Sequence, residues 1–444
     1  MVMSCRRNAA ASRSRSASIL FLSLVALYQI LIKEALMGKL TFDRLRSAVA
    51  GDAVALRSRT TLQPAGGSGD KVFPPTYAVD RGIKYAFEER QMDDDTTTTT
   101  VLLDSVASQA NRAELALLEG WELNELKFPV PYVDFASHKE VEDLGRLTVL
   151  EVPHRFADAI FRDSLLDNTL FRLSDIGRAI TDAQPRNATA LFRYAPTALL
   201  FGQWDSTGPK GGLGSKFQRA YVSEIVGLDA KIGVKVGSRL DPLQIEREAA
   251  DRQIFVHEDP DQVWTLDPEK AAVQKGKKGP NVKGDGRPSE INHGNIAPSI
   301  DETAGGVTIS KAIQTTVVSL AALRRLRFPG HGREAETAAR AAVAALGVVS
   351  IAYQHEIDFD LRSRCLLVPE HGPRIELLSR DGSPAEVVDL DRTVARELIL
   401  QAAAHAKEQG IGWEESKIKL DPAPKLLELI RKSREVSASK TPSE

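Results

Sequence analysis

Residues 197–237 read TALLFGQWDSTGPKGGLGSKFQRAYVSEIVGLDAKIGVKVG. Three short apolar runs in it, 197–204, 220–229 and 231–237, each predict a strand. The glycine-rich interval between the first two suits no regular element. Further out, VVSIAY (348–353) and RCLLVP (364–369) predict two more strands. Helix signals fall between them. Ser105 caps a run in which Val106, Ala110, Ala113 and Leu117 share a face, with Gly120 as a stop. Pro153 opens a second helix, with Phe156, Ile160 and Phe161 in period. Asp241-Pro242 form an N-cap and N1 pair before LQIEREAADR. Ser310 precedes Ile313, Val317, Leu320 and Leu323, a long apolar helix ending at Phe328-Pro329. Residues 334–346 and 391–408 are Ala-rich and helical. Strands and helices interspersed without strict alternation predict an α+β fold, a sheet with helices on one face and long insertions.

Three stretches read as irregular. Residues 63–76 are rich in glycine and proline, and 91–100 place five threonines after Asp93-Asp94-Asp95, which suits a solvated turn. The largest runs from Asp259 to Gly306 and predicts an insertion over about 255–306 within a core of 37–370. Residues 371–444 read as a mainly helical C-terminal segment. No repeat of solenoid length is visible.

The 444 residues are 42% hydrophobic and 27% charged, a globular composition. Lys and Arg number 58 against 60 Asp and Glu, a net charge of -2, which removes a chain-wide basic signal but not a local basic groove. Two cysteines, Cys5 and Cys365, exclude a disulfide scaffold and a Cys-only zinc site, and Cys365 reads as a buried small hydrophobe. Residues 1–36 carry Arg6, Arg7, Arg13 and Arg15 and then an apolar run from Ile19 to Ile32. That run falls short of the roughly 20 residues that span a bilayer, and no later run reaches that length. An extension ahead of Met37 and a cytoplasmic protein are expected.

The segment 201–227 carries the richest chemistry. Gly208, Gly211, Gly212 and Gly214 let backbone approach a ligand closely, while Lys210, Lys216 and Arg219 add charge. The Walker, dinucleotide and nucleophile-elbow patterns all fail here. What remains is a loop suited to a phosphodiester backbone, with Trp204 and Phe217 as stacking faces. Arg57, Arg59 and Lys71, and then Gln109, Asn111 and Arg112 along the polar side of the Ser105 helix, extend the pattern. Lys275, Lys277, Lys278, Lys283 and Arg287 stand against one acid, Asp285. Together they predict scattered pieces of a groove that neutralises phosphates. His293, between Asn292 and Asn295 in a polar loop, suits a base edge or phosphate, or general acid–base work in RNA cleavage. No histidine pair has metal-ligand spacing, and no metal or cofactor is expected.

The series RSRTTLQPAGGSGDKVFPPTY, LLDSVASQANRAELAL, VPHRFADAIFRDS, ALLFGQWDSTGPKGGLGSKFQRAYVSEIVG, SRLDPL, RPSEINHGNIAPS and GGVTISKAIQTTVVSLAALRRLRF resembles one family. It is the CRISPR-associated RAMP backbone subunit of type I-G (formerly I-U) Cascade-like effector complexes. The resemblance runs from about Met37 to about Pro369 and implies a ferredoxin-like, RNA-recognition-motif-type palm with inserted finger and thumb segments. It implies a non-catalytic, RNA-binding protein that oligomerises along a CRISPR RNA and presents it for pairing with a target DNA strand. Its partners would be that RNA, the target strand, further copies of itself and the other subunits of the complex, with no membrane. Two other classes stay open: a metal-independent endoribonuclease using His293, and a membrane-anchored interaction protein using residues 19–32.

Overall fold

Ala53–Pro64 (β1) alternates as a half-buried strand must, with Leu56, Ser58, Thr60 and Leu62 inward and Arg57, Arg59, Thr61 and Gln63 outward. It is a central strand of a ten-stranded sheet. The structure is a computed structural model that describes residues 38–92, 95–206, 215–245, 254–273 and 279–439. After β1 come a hairpin of Phe87–Gln91 (β2) and Thr97–Asp104 (β3), then the helix Val106–Glu122 (α1). Pro196–Phe201 (α2) leads into a two-stranded ribbon, Gln203–Trp204 (β4) and Lys216–Phe217 (β5), and then Tyr221–Leu228 (β6). Lys235–Arg239 (β7) and Ile296–Asp301 (β8) pair as a largely exposed arm in the insertion that follows. Lys311–Ser319 (β9) returns to the sheet, followed by Leu320–Leu323 (α3) and the long helix Arg333–Glu356 (α4). Leu366–Pro369 (β10), Arg374–Ser379 (β11), Glu386–Asp389 (β12) and the helix Arg392–Glu408 (α5) complete the core.

The main path of the sheet runs β12-β11-β1-β9-β6-β3-β2, with these neighbours antiparallel. In chain order β1, α1, β6, β9, α4 and β11 form two interleaved β-α-β units, each with a strand of the other between its own two. Helices α1 and α4 lie on one face of the sheet and approach closely: a Cβ on Gly120 would stand 2.5 Å from the Tyr353 ring. A smaller five-stranded sheet joins segments between α1 and β6 to residues 419–422.

The inner face of the large sheet is banded. At one end Leu56, Tyr221 and Val318 belong to the main apolar cluster under α1 and α4; at the other Leu62, Ile225 and Ala312 belong to a second cluster. Between them runs a buried polar belt of Ser58, Thr60, Ser223, Gln314 and Thr316. Gln109 of α1 satisfies it. Its Oε1 accepts from Ser223 Oγ (3.0 Å), Gln314 Nε2 (2.8 Å) and Gln354 Nε2 (3.0 Å), while its Nε2 donates to Asp104 Oδ2 at 2.6 Å.

Several sequence expectations are corrected here. Residues 197–204 are mostly the helix α2, opened by Pro196 and ended by Gly202, with only 203–204 extended. The run 348–353 lies inside α4, which is buried almost all round. The long helix expected after Ser310 is the strand β9, whose Ala312, Gln314, Thr316 and Val318 point inward, and only α3 is helical there. Four of the five threonines read as a turn open β3, with Thr100 buried. The run 231–237 divides into Lys231–Ile232 and β7. The helix expected from Pro153 is a short 3-10 turn followed by Ala159–Arg162. The boundary near 370 separates no unit, since β11 and β12 belong to the main sheet. α4 is long and apolar enough to cross a bilayer, contrary to expectation, but 89% of its apolar window is buried inside the protein. Residues 1–36 and most of the helix expected after Pro242 lie outside the described residues. The α+β class holds, as do β6, β10, α1, α4 and α5 near their expected places.

Gln109→Leu keeps the volume but removes four buried hydrogen bonds, those of the Gln314 and Gln354 amides among them. It should lower stability by about 3 kcal/mol, whereas Asn111→Ala on the exposed side of α1 should change it by less than about 0.5 kcal/mol. Urea denaturation with unchanged slope checks both.

Candidate nucleic-acid interface

Where β6 begins and β9 ends, the sheet borders a cleft of about 590 Å³. Its inner wall is α2 and the short ribbon β4–β5; Pro153–Arg155, Pro185 and the α3 region close it. In the ribbon Lys216 stands opposite Trp204, with Nζ 5.3 Å from the indole centre. Trp204 is 57% exposed, so the ring offers a face to solvent. The ends of the glycine-rich segment are fastened below it: Asp205 N–H donates to Ser215 O at 2.9 Å, and Gln203 Nε2 donates to Ser215 Oγ at 3.1 Å. Asp205, buried, accepts from Arg172 at 2.6 and 2.7 Å.

The charge of the cleft is one-sided. Arg155, Lys216, Arg219 and Arg325 line it together with His154, and among the described residues no Asp or Glu does. Arg325 donates to Gln218 Oε1 at 3.1 Å, which holds its guanidinium along the rim. A concave basic surface with one open aromatic face suits a single-stranded phosphodiester and a stacked base. The outer face of the sheet differs: Arg57 is paired with Glu376, and Arg90 with Glu224 at 2.7 Å, so cations and acids alternate there.

Of the residues read from sequence, Trp204, Lys216 and Arg219 meet at this cleft. Lys210, Gly211, Gly212 and Gly214 lie outside the described residues, as do Lys275, Lys277 and Lys278. Arg57 and Arg59 are not loop residues but stand on the outer face of β1. Gln109, expected on a polar helix face, is wholly buried in the belt and is corrected to a core residue. Arg112 is tied to Asp104 (3.0 Å) and the Leu361 carbonyl (2.6 Å), while Asn111 is exposed. Lys71 donates to Val234 O at 2.7 Å and pins its loop to the foot of the β7–β8 arm. At the opposite end of that arm Asn295 Oδ1 accepts from Asp241 N–H (2.7 Å) and the His293 carbonyl accepts from Arg239 (2.7 Å). Asn292 is in a left-handed turn, Arg287 is exposed and Lys283 is half-buried. None of these residues lines the cleft. No cluster of metal ligands occurs among the described residues. Cys365 is buried, and burial pushes its thiol up to about 11, as suits a packing residue.

Residues 56–232 match the family described as CRISPR-associated protein GSU0053 (Cas_GSU0053). The match ties this chain to CRISPR-associated proteins. Comparison with curated proteins finds no match. The matched stretch runs from β1 through β6 and includes Trp204, Lys216 and Arg219, but neither Arg325 nor His293.

Sequence reasoning missed Arg325, which a distant segment brings to the rim, and the ion pair beneath the cleft. Arg155 donates to both carboxylate oxygens of Glu114, at 2.6 and 2.7 Å. The signal was there: Glu114 is a charge on the apolar face that Ala110, Ala113 and Leu117 define. Burial pushes the Glu114 carboxyl up to about 7, against the lowering pull of Arg155 and Arg219. A raised folded-state value means that this group's contribution to stability is complete below the ordinary value of 4.5 and is lost as pH rises through about 7. Glu114→Gln should abolish that part of the decline, which melting curves of both proteins from about pH 5 to 8 would reveal.

Proposed function

We propose that this chain is a non-catalytic, RNA-binding backbone subunit of a type I-G CRISPR effector complex. It holds the CRISPR RNA spacer by its phosphate backbone, assembles with further copies of itself along that RNA, and presents it to a target DNA strand in the cytoplasm, together with the other subunits. The observation that carries this reading is the basic cleft, without acids among the described residues and with an open tryptophan, built mostly on the segment that matches a CRISPR-associated family. The interleaved β-α-β path, with strand order β11-β1-β9-β6, supports a ferredoxin-like palm of the RAMP kind. The exposed β7–β8 arm suits an inserted finger or thumb. With the chain at a net charge of -2, affinity rests on where the cations stand.

The chain purified from a host that also expresses a CRISPR array should carry RNA of one defined length; RNA of random length or none would overturn the reading. Binding to single-stranded RNA should weaken steeply with salt. Lys216→Ala, Arg219→Ala and Arg325→Ala combined should lower the salt slope by up to about three units. Trp204→Ala should cost about 1–3 kcal/mol of binding with the slope retained. Fluorescence anisotropy at several salt concentrations measures all three quantities.

A further inference from the structure

Arg155 is almost covered, at 7% exposure, and its φ of +52° is a left-handed conformation that side-chained residues seldom adopt. Its guanidinium is held from two sides. Nε and Nη2 meet the two oxygens of Glu114, while Nη1 donates to the Gly202 carbonyl at 2.9 Å and the group sits 5.5 Å from the Phe201 ring centre. Gly202 is the joint between α2 and β4, with φ +83°. A Cβ there would stand 3.0 Å from both the Arg219 nitrogen and the Phe217 carbonyl oxygen. Glycine is therefore required at a point where backbone freedom is greatest. A rigid bidentate fork whose third donor fixes that carbonyl removes this freedom, and an ammonium cannot reproduce it. Two residues beyond the joint stands Trp204, opposite Lys216.

We propose that Arg155, anchored by Glu114, is a positioning residue that sets the Trp204–Lys216 platform at the cleft mouth for a nucleic-acid base and its phosphate. This rests on the RNA-binding reading of the cleft. A platform fixed before binding spares the ligand the cost of ordering it.

Two variants test the proposal. Arg155→Lys keeps the charge and loses the fork. The double variant Glu114→Met with Arg155→Met removes both charges, so that no unpaired ion stays buried if the first fails to fold. Protein labelled with 5-fluorotryptophan is followed by fluorine NMR, with the Trp204 resonance assigned through Trp204→Phe. In a folded variant the Trp204 resonance should shift or broaden while those of Trp121, Trp264 and Trp413 stay in place. Affinity for a labelled oligouridylate should fall about tenfold, the worth of one stacked base. The salt slope should equal that of the wild type, because no phosphate contact is removed. An unmoved Trp204 resonance would overturn the positioning role, and a slope smaller by about one unit would make Arg155 a phosphate ligand instead. Unchanged affinity of Trp204→Ala would overturn the cleft reading itself, which separates the two failures.

Discussion

One amide side chain joins the layers of this fold. Gln109 leaves α1, accepts from β6, β9 and α4, and donates to the last residue of β3, so five elements meet at four hydrogen bonds. A buried polar group is costly unless satisfied, and each partner here is also buried. The arrangement allows only one registration of helix against sheet. Sliding α1 by a turn would face the belt of serine, threonine and glutamine with an apolar side chain and leave it unpaired. Apolar packing on either side supplies attraction without direction; the belt between the two clusters supplies the address. Asp104, at the edge of the belt, carries it outward through Arg112 and Arg362.

This belt also explains where sequence reading works and where it stops. Helices α1, α4 and α5 have long periodic patterns and are legible. Short apolar runs are not: VVSIAY has β-branched residues, yet burial all round α4 makes it indistinguishable in pattern from a core strand. TALLFG was decipherable from its punctuation, since Pro196 stands at the first helical position and Gly202 just past the end. In residues 312–318 the alternating Gln314 and Thr316 mark a strand, but polar residues on an inward face disguise it. Gln109 misleads for the same reason, because an amide on a helix looks like a surface group until its partners are brought in by residues 223, 314 and 354. At the cleft, the residues close together in sequence were legible; Arg155 and Arg325, from distant elements, were not, and Glu114 left only the mark of a charge on an apolar helix face.

The distribution of charge matters more than its sum. On the outer face of the sheet, acids from β6 and β11 sit beside Arg90 and Arg57 and cancel them at short range. Below the cleft the acids are each held by a partner: Glu114 by Arg155, Asp205 by Arg172 and Asp158 by His154. Screening at physiological salt acts over about 8 Å. Each surface therefore sees mainly its own neighbours, and a chain near neutrality overall can hold a locally cationic concavity.

The strand order has a consequence for how the protein is made. β1 emerges early, but its sheet neighbours β9 and β11 are encoded about 250 and 310 residues further on. At 5–20 residues per second of synthesis, β1 waits about 12–50 s before its first long partner exists. During that interval its backbone donors and acceptors stand unpaired on both sides, the condition under which strands join the wrong chain. The threonines and arginines along β1 make it less apolar than a fully buried strand. The helix α4, encoded between β9 and β11, packs over the sheet in the finished fold. A strand that waits this long leaves more unpaired edge during synthesis than one closed by a sequential hairpin.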